Sequence, residues 1–354
     1  MSQTIAGDVE SKTYRPRSGG WTLHLQRHRN PDRFDPALRP IVMIPGYAMN
    51  AFILGFHPTG RSMLEFLVDQ GFEVWRANLR GQGESERHSG RSDYGFRELS
   101  SVDMPAVRDF VLDNTLSERE TFDLIGCSLG ATVVYAYLAQ FPDEHKTGSV
   151  VAIGGPLRWD EIHPLLKVVF ASPSLAAALP SKGTRFLARL ALPIVKNVPP
   201  IAAIYMNVHQ IDLSEADELV KTVEDPNPYL NRQIAHWMRD VDLMVGGVNI
   251  TEAMADIHTP VMCILANKDG IVPPASALAI REAIGTDDTT VLRVGDKKNW
   301  FAHADLFISF DAESKVFVPL ADWLLARQEP SGEAATSGEA AERPSGRAKA
   351  TNNA

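Results

Sequence analysis

The chain has 354 residues, of which 44% are hydrophobic and 22% charged, the balance of an ordinary globular protein with a sizeable core. Its net charge of −9 argues against a nucleic-acid binder, which needs a basic face. Two cysteines, Cys127 and Cys263, supply no disulfide framework and favour a reducing compartment.

The opening "MSQTIAGDVESKTYRPRSGG" has no apolar core of a signal peptide, and no run of about 18 apolar residues occurs. Neither a secretory signal nor a membrane span is expected, which predicts a cytoplasmic protein. Residues 1–11 are polar and expected to be loose. "WTLHLQRH" alternates in hydropathy after the Gly19-Gly20 turn and predicts an edge hairpin. From residue 40 strands and helices alternate. "IVMIP" is a buried strand, "SMLEFLVDQ" a helix closed by Gly71, and "FEVWRAN" a strand. "VDMPAVRDFVLDN" is a helix with Asp103 as candidate cap and Pro105 in its first turn. "TFDLIGC" is a strand, residues 129–141 a helix stopped by Pro142, and "GSVVAIGG" a strand.

Residues 156–256 interrupt this pattern with nine of the chain's 23 prolines and with apolar helical pieces such as "RFLARLALPIV". A hundred residues is too long for a connection, so an inserted, mainly helical cap is expected. Its apolar surface fits either self-packing core or the lining of a hydrophobic pocket under a lid. Alternation resumes with the strand "PVMCILA", the helix "ASALAIREAI", the strand "TVLRVG" and a last helix near "FVPLADWLLAR". Continuous apolar strands between amphipathic helices predict an α/β fold, a mostly parallel central sheet covered by helices on both faces. The core is then 12–155 with 257–328. The tail 329–354 has no apolar residue larger than alanine and is expected to be disordered.

In "GCSLG" the serine stands between Gly126 and Gly130, with an apolar strand before it and a helix after it. A serine nucleophile on such a strand-to-helix elbow needs small residues two positions to either side. Cys127 would need them at Ile125 and Leu129, so the register selects Ser128. A serine hydroxyl needs a base oriented by an acid, and on this elbow the acid and then the histidine follow in the chain. His303 in "NWFAHADLFIS" follows the last strand; His145, His163, His209, His236 and His258 precede the acid candidate. That candidate is Asp269 in "CILANKDGIVPP", at the C-terminal end of a strand where ligand-facing residues of open α/β sheets lie. Asp287 and Asp288 fall at the opposite end of the sheet. The backbone N–H of Leu129, and that of Tyr47 in "MIPGYAMN", are the expected donors to an oxyanion.

Over about residues 40–325 the chain resembles the α/β-hydrolase superfamily. "GCSLG", "NLRGQGES", "ILANKDGIVPP" and "FAHADLF" are similar to its elbow, its loop after the fourth strand, its acid turn and its histidine loop. "MLEFLVDQGFEVWRANLRGQGES" and "YGFRELSSVDMPAVRDFVL" resemble the acid-lipase and polyhydroxyalkanoate-synthase-like branches. The synthases carry cysteine at the elbow position held here by Ser128. Pro45-Gly46 replaces the family's usual His-Gly before the oxyanion residue.

The resemblance implies a serine hydrolase of acyl esters with Ser128, Asp269 and His303 as the triad and a mobile cap. No metal or organic cofactor is implied. The partner is a small acyl ester of medium or long chain, with transient lipid-surface contact through the cap and no nucleic acid. Two alternatives are an acyltransferase passing the acyl group to an alcohol or thiol, and a non-catalytic binding protein of the same fold.

Overall fold

The apolar runs form strands because each is buried on both of its faces. The computed structural model describes residues 9–179, 182–195 (backbone alone from 192), 198 and 202–328. The expected tail, 329–354, and residues 1–8 lie outside the described residues. The strands of the main sheet are β1 Glu10–Tyr14, β2 His24–Arg29, β3 Ile41–Ile44, β4 Val74–Asn78, β5 Phe122–Cys127, β6 Thr147–Ile153, β7 Val261–Ala266 and β8 Thr289–Val294. They stand in the order β1-β2-β4-β3-β5-β6-β7-β8. Strand β2 is antiparallel to β1 and β4, and every pairing from β4 to β8 is parallel.

Alternate residues of each central strand feed two different cores. Val42, Ile44, Leu124, Val150 and Cys263 face one; Ile41, Met43, Ile125, Val151 and Ile264 face the other. Each such side chain, fully buried, stabilises the fold by about 1.5–3 kcal/mol. Helices on both faces close the cores: Met63–Asp69, Leu129–Gln140, Pro274–Ala283 and Val318–Leu325 among them. Ser62 caps the first of these, accepting from Glu65 N–H, and the Glu65 carboxylate accepts from Ser62 N–H. Among the described residues no helix is long and apolar enough to cross a membrane.

Cys127 and Cys263 are free and buried, on strands separated by β6 and in cores on opposite sides of the sheet. That placement keeps them from pairing.

Three expectations need correction. Residues 10 and 11 are not loose: they begin β1, where Glu10 pairs with Arg29 and Ser11 with His28. The strand hid its character because it is the sheet edge and mostly exposed. The segment after the Gly19-Gly20 turn is likewise not the edge. Trp21–Thr22 joins a small ribbon with Arg17–Ser18 and Glu86–Arg87, and His24–Arg29 is the second strand of the main sheet.

Asp103 does not cap a helix. The helical path starts at Phe96 and passes through a π-turn, Leu99–Asp103, into Met104–Asn114. The Asp103 carboxylate is fully buried and accepts a bidentate pair from Arg80 at 2.7 and 2.8 Å and the Ser18 hydroxyl at 2.5 Å. It pins the loop after β4 to this helix instead.

The interruption 156–256 is divided. Helices Pro164–Val169, Pro173–Ala177 and Thr184–Val195 leave Leu165, Val168, Leu175, Phe186 and Leu190 exposed. Helix Pro228–Asp240 and the ribbon Met244–Val245 with Val248–Asn249 instead place Leu230, Ile234, Trp237 and Val245 in the main core. The Trp237 ring meets Phe96 edge-on at 5.6 Å. Ala202, Met206, Ile211 and Leu219 likewise join the other core, so the exposed helices of the interruption lie within residues 164–195.

Candidate active site

The C-terminal ends of β3, β5, β7 and β8 bring four loops together, as parallel strands require. Ser128 occupies the turn between β5 and helix Leu129–Gln140 with φ 53° and ψ −125°. A non-glycine residue there costs about 1–3 kcal/mol. Its backbone is held by Ser128 N–H to Ile153 O at 2.8 Å and Ala131 N–H to Ser128 O at 3.0 Å.

The flanking glycines are required by contact. A Cβ on Gly126 would lie 2.5 Å from Ala131 Cα, and one on Gly130 would lie 2.6 Å from Pro45 O. The loop after β3 is equally close, with 3.0 Å between a Cβ on Gly46 and that of Ser128. Among the described residues neither the Tyr47 nor the Leu129 backbone N–H donates to a protein acceptor. That of Leu129 follows Ser128 directly, at the start of a twelve-residue helix, and that of Tyr47 follows Gly46, which packs against Ser128. The Tyr47 hydroxyl points elsewhere and donates to Asn231 Oδ1 at 2.5 Å.

His303 Nδ1–H donates to Asp269 Oδ2 at 2.7 Å. Both side chains are buried, 5% and 1% exposed, so the pair is shielded from competing water. Asp269 Oδ1 accepts the N–H groups of Ile271 and Val272 at 2.9 and 2.8 Å, which fixes the carboxylate's rotation. With Nδ1 committed, Nε2 is the basic nitrogen of the ring. Ser128 and His303 line one narrow cavity, whose other walls include Met49, Ile53, Tyr205 and Phe307. A second cavity is lined by Gly46–Met49 together with Tyr94, Leu99, Leu129 and Leu230.

Cys127 sits at the wall of the first cavity, but burial pushes its thiol well above the ordinary range, so it stays protonated. Among the described residues no group of three His, Cys, Asp or Glu side chains could hold a metal ion.

The sequence brought Ser128, Asp269 and His303 into view, and the structure places all three around this site. It missed four neighbours. Gly154, with φ +56°, lets the end of β6 approach the pair: a Cβ there would lie 3.0 Å from His303 Cε1 and 3.4 Å from Asp269 Oδ2. The Gly-Gly closing "GSVVAIGG" was the available signal. Tyr205 stands 6.0 Å from the His303 ring, centroid to centroid, and burial with Asp269 and Asp305 nearby pushes its phenol up to about 12. Asn207 and Asp305 are fixed to each other beside it. The "HAD" triplet hinted at Asp305; nothing in the sequence marked Tyr205 or Asn207.

Among the described residues Tyr205 is the one lining residue of the first cavity from the interruption. The exposed Leu165, Val168, Leu175, Phe186 and Leu190 line neither of these two cavities.

Residues 39–301 match the family model described as alpha/beta hydrolase fold. The poly(3-hydroxyalkanoate) polymerase subunit PhaC of Haloferax mediterranei is 21% identical over 331 residues, which cover 88% of this chain and 64% of that protein. Human Lipase member N is 33% identical over 114 residues, covering 30% of this chain and 28% of its own. The chain thus spans less than two thirds of the length of the curated relatives it matches. Among solved structures, a thermophilic esterase from Thermogutta terrifontis superposes with a TM-score of 0.59 at 14% identity, over 90% of this chain and 100% of that one. At that identity the likeness is one of fold.

Proposed function

Because the chain belongs to the alpha/beta hydrolase family, we propose that it is a serine hydrolase of carboxylic esters. Ser128 Oγ attacks the acyl carbonyl while His303 Nε2 takes its proton. The carbonyl oxygen becomes an oxyanion held by the N–H groups of Leu129 and Tyr47. The imidazolium, oriented and stabilised by Asp269, returns the proton to the leaving alkoxide, and an acyl-enzyme remains. Water then repeats the sequence and releases the acid.

The observation that carries this reading is the pairing of His303 with Asp269 at 2.7 Å while His303 shares a cavity with Ser128. Transient contact of the cap with a lipid surface belongs to the same reading, supported by the exposed Val168, Leu175, Phe186 and Leu190. A cytoplasmic location accords with two free thiols. Turnover of a panel of p-nitrophenyl esters from two to sixteen carbons, with fluorophosphonate labelling lost in Ser128→Ala, is the expected result. Absence of both turnover and labelling would return the chain to a binding role.

A second reading, transfer of the acyl group to an alcohol or thiol, is favoured by the length of the match to the polymerase subunit, 88% of this chain. Product analysis with an added alcohol separates transfer from hydrolysis.

A further inference from the structure

Three of the four loops that carry proposed catalytic groups, those of Asp269, His303 and Tyr47, are bonded to one stretch of the interruption. Gly270 N–H, next to Asp269, donates to Ile204 O at 3.1 Å, and Ala304 N–H, next to His303, donates to Tyr205 O at 2.8 Å. The Asn207 side-chain amide donates to Trp300 O at 2.9 Å. Farther along, Asn50 N–H donates to Thr222 O at 2.9 Å and Glu224 N–H to Ala48 O at 2.8 Å, which ties the loop of Tyr47 to the same stretch. A segment bonded to three loops at once cannot swing away without breaking all of them.

Asp305 is the joint in this arrangement. Its carboxylate is fully buried and accepts the Asn207 N–H on both oxygens, at 3.0 and 3.1 Å. Its Oδ2 also accepts the N–H of Ala302 at 2.6 Å, the residue directly before His303. One carboxyl thus fastens the histidine loop to the interruption. Burial, with Asp269 nearby, pushes this carboxyl up to about 7, against the opposing pull of its two N–H bonds and of His303. An unpaired carboxyl at such depth is costly for stability, and its geometry serves the histidine loop.

Resting on the ester-hydrolase reading above, we propose that residues 204–224 are a fixed brace for the catalytic loops, and that Asp305 is the positioning residue that holds His303 in register through Ala302 and Asn207.

Asp305→Ala removes both acceptors. Asp305→Asn keeps an oxygen at the Oδ2 position, where both N–H groups converge. Each variant is assayed on a p-nitrophenyl ester, with the folded fraction measured by circular dichroism. Misplacing a base by a fraction of an ångström acts on kcat: Asp305→Ala should lose about tenfold or more in kcat with KM within about threefold, and Asp305→Asn should recover most of that loss. An unchanged kcat in Asp305→Ala overturns the proposal, as does a loss in both variants that merely tracks the unfolded fraction.

Gly270→Ala tests the other end of the brace should the first variant fail to fold. Its Cβ would lie 2.8 Å from Ile204 Cα and O and push the brace off the acid loop. It should lower kcat about fivefold or more with KM little changed; a wild-type kcat overturns the proposal. A wild-type protein inert toward every ester refutes the ester-hydrolase reading, whereas an active wild type with indifferent variants refutes the brace alone.

Discussion

Gly126 and Ala131 are in contact across the elbow, so close that a Cβ on Gly126 would lie 2.5 Å from Ala131 Cα and 2.7 Å from its nitrogen. The obstacle is backbone, which cannot rotate aside as a side chain does. Gly126→Ala must therefore separate β5 from the helix that follows it. We expect a loss of about 1–3 kcal/mol in stability, seen as a lower Tm. The variant should also react more slowly with a fluorophosphonate, because the turn that carries Ser128 is displaced. A variant with wild-type Tm and labelling would show that the elbow tolerates a methyl group.

Ser128 and Cys127 offer two nucleophiles in adjacent positions, and their surroundings separate them. Burial raises the Cys127 thiol far above neutrality, and a thiol rather than a thiolate is a weak nucleophile. Ser128→Ala should abolish esterase activity, by about three orders of magnitude or more. Cys127→Ala removes one sulfur from a packed core and should keep most of the rate per folded molecule. If Cys127→Ala were the inactive variant, the glycine register would have selected the wrong residue.

What was legible in the sequence follows physical lines. The central strands show as apolar runs because both faces are buried, and "GCSLG" shows because its glycines answer to local contacts within the elbow. The meeting of Asp269 with His303 follows from strand-end position and chain order. Asp103 was misread because the local pattern of a cap is the same whether or not a distant partner takes the carboxylate, and Arg80 takes it. The edge strand β1 was missed because its exposed face needs no apolar residues. The "HAD" triplet could only hint at Asp305, because the partner of its carboxylate, Asn207, lies 98 residues away and local patterns carry no information at that range.

The buried carboxyl of Asp305 also has a signature in stability. Its value rises from 3.8 unfolded to about 7 folded, so the folded state holds this proton more tightly. That contribution is fully present below pH 3.8 and is lost as pH rises through about 7. Asp305→Asn cannot titrate. Its stability relative to wild type should therefore improve as pH is raised from 4 to 8, by up to about 4 kcal/mol for a shift of three units. Paired denaturant titrations across that range measure it. A difference that stays flat with pH would mean that Asp305 is not held at a raised pKa.

Two cavities beside Ser128 could take the acyl chain. The one shared by Ser128 and His303 is walled by Met49, Ile53 and Phe307. Each methylene buried there contributes about 0.8 kcal/mol, roughly fourfold in kcat/KM. The rate constant should thus climb from acetate to medium acyl esters and level off once the space is filled. Phe307→Ala opens the end of this cavity and should move the maximum to longer chains; Ile53→Trp fills it and should leave acetate as the best substrate. If the chain instead enters the second cavity, lined by Gly46–Met49, neither change would move the maximum, and Leu230→Ala, at that cavity's wall, would. A profile flat from two to sixteen carbons in the wild type would exclude both, because no apolar pocket of this depth can be indifferent to the methylenes it buries.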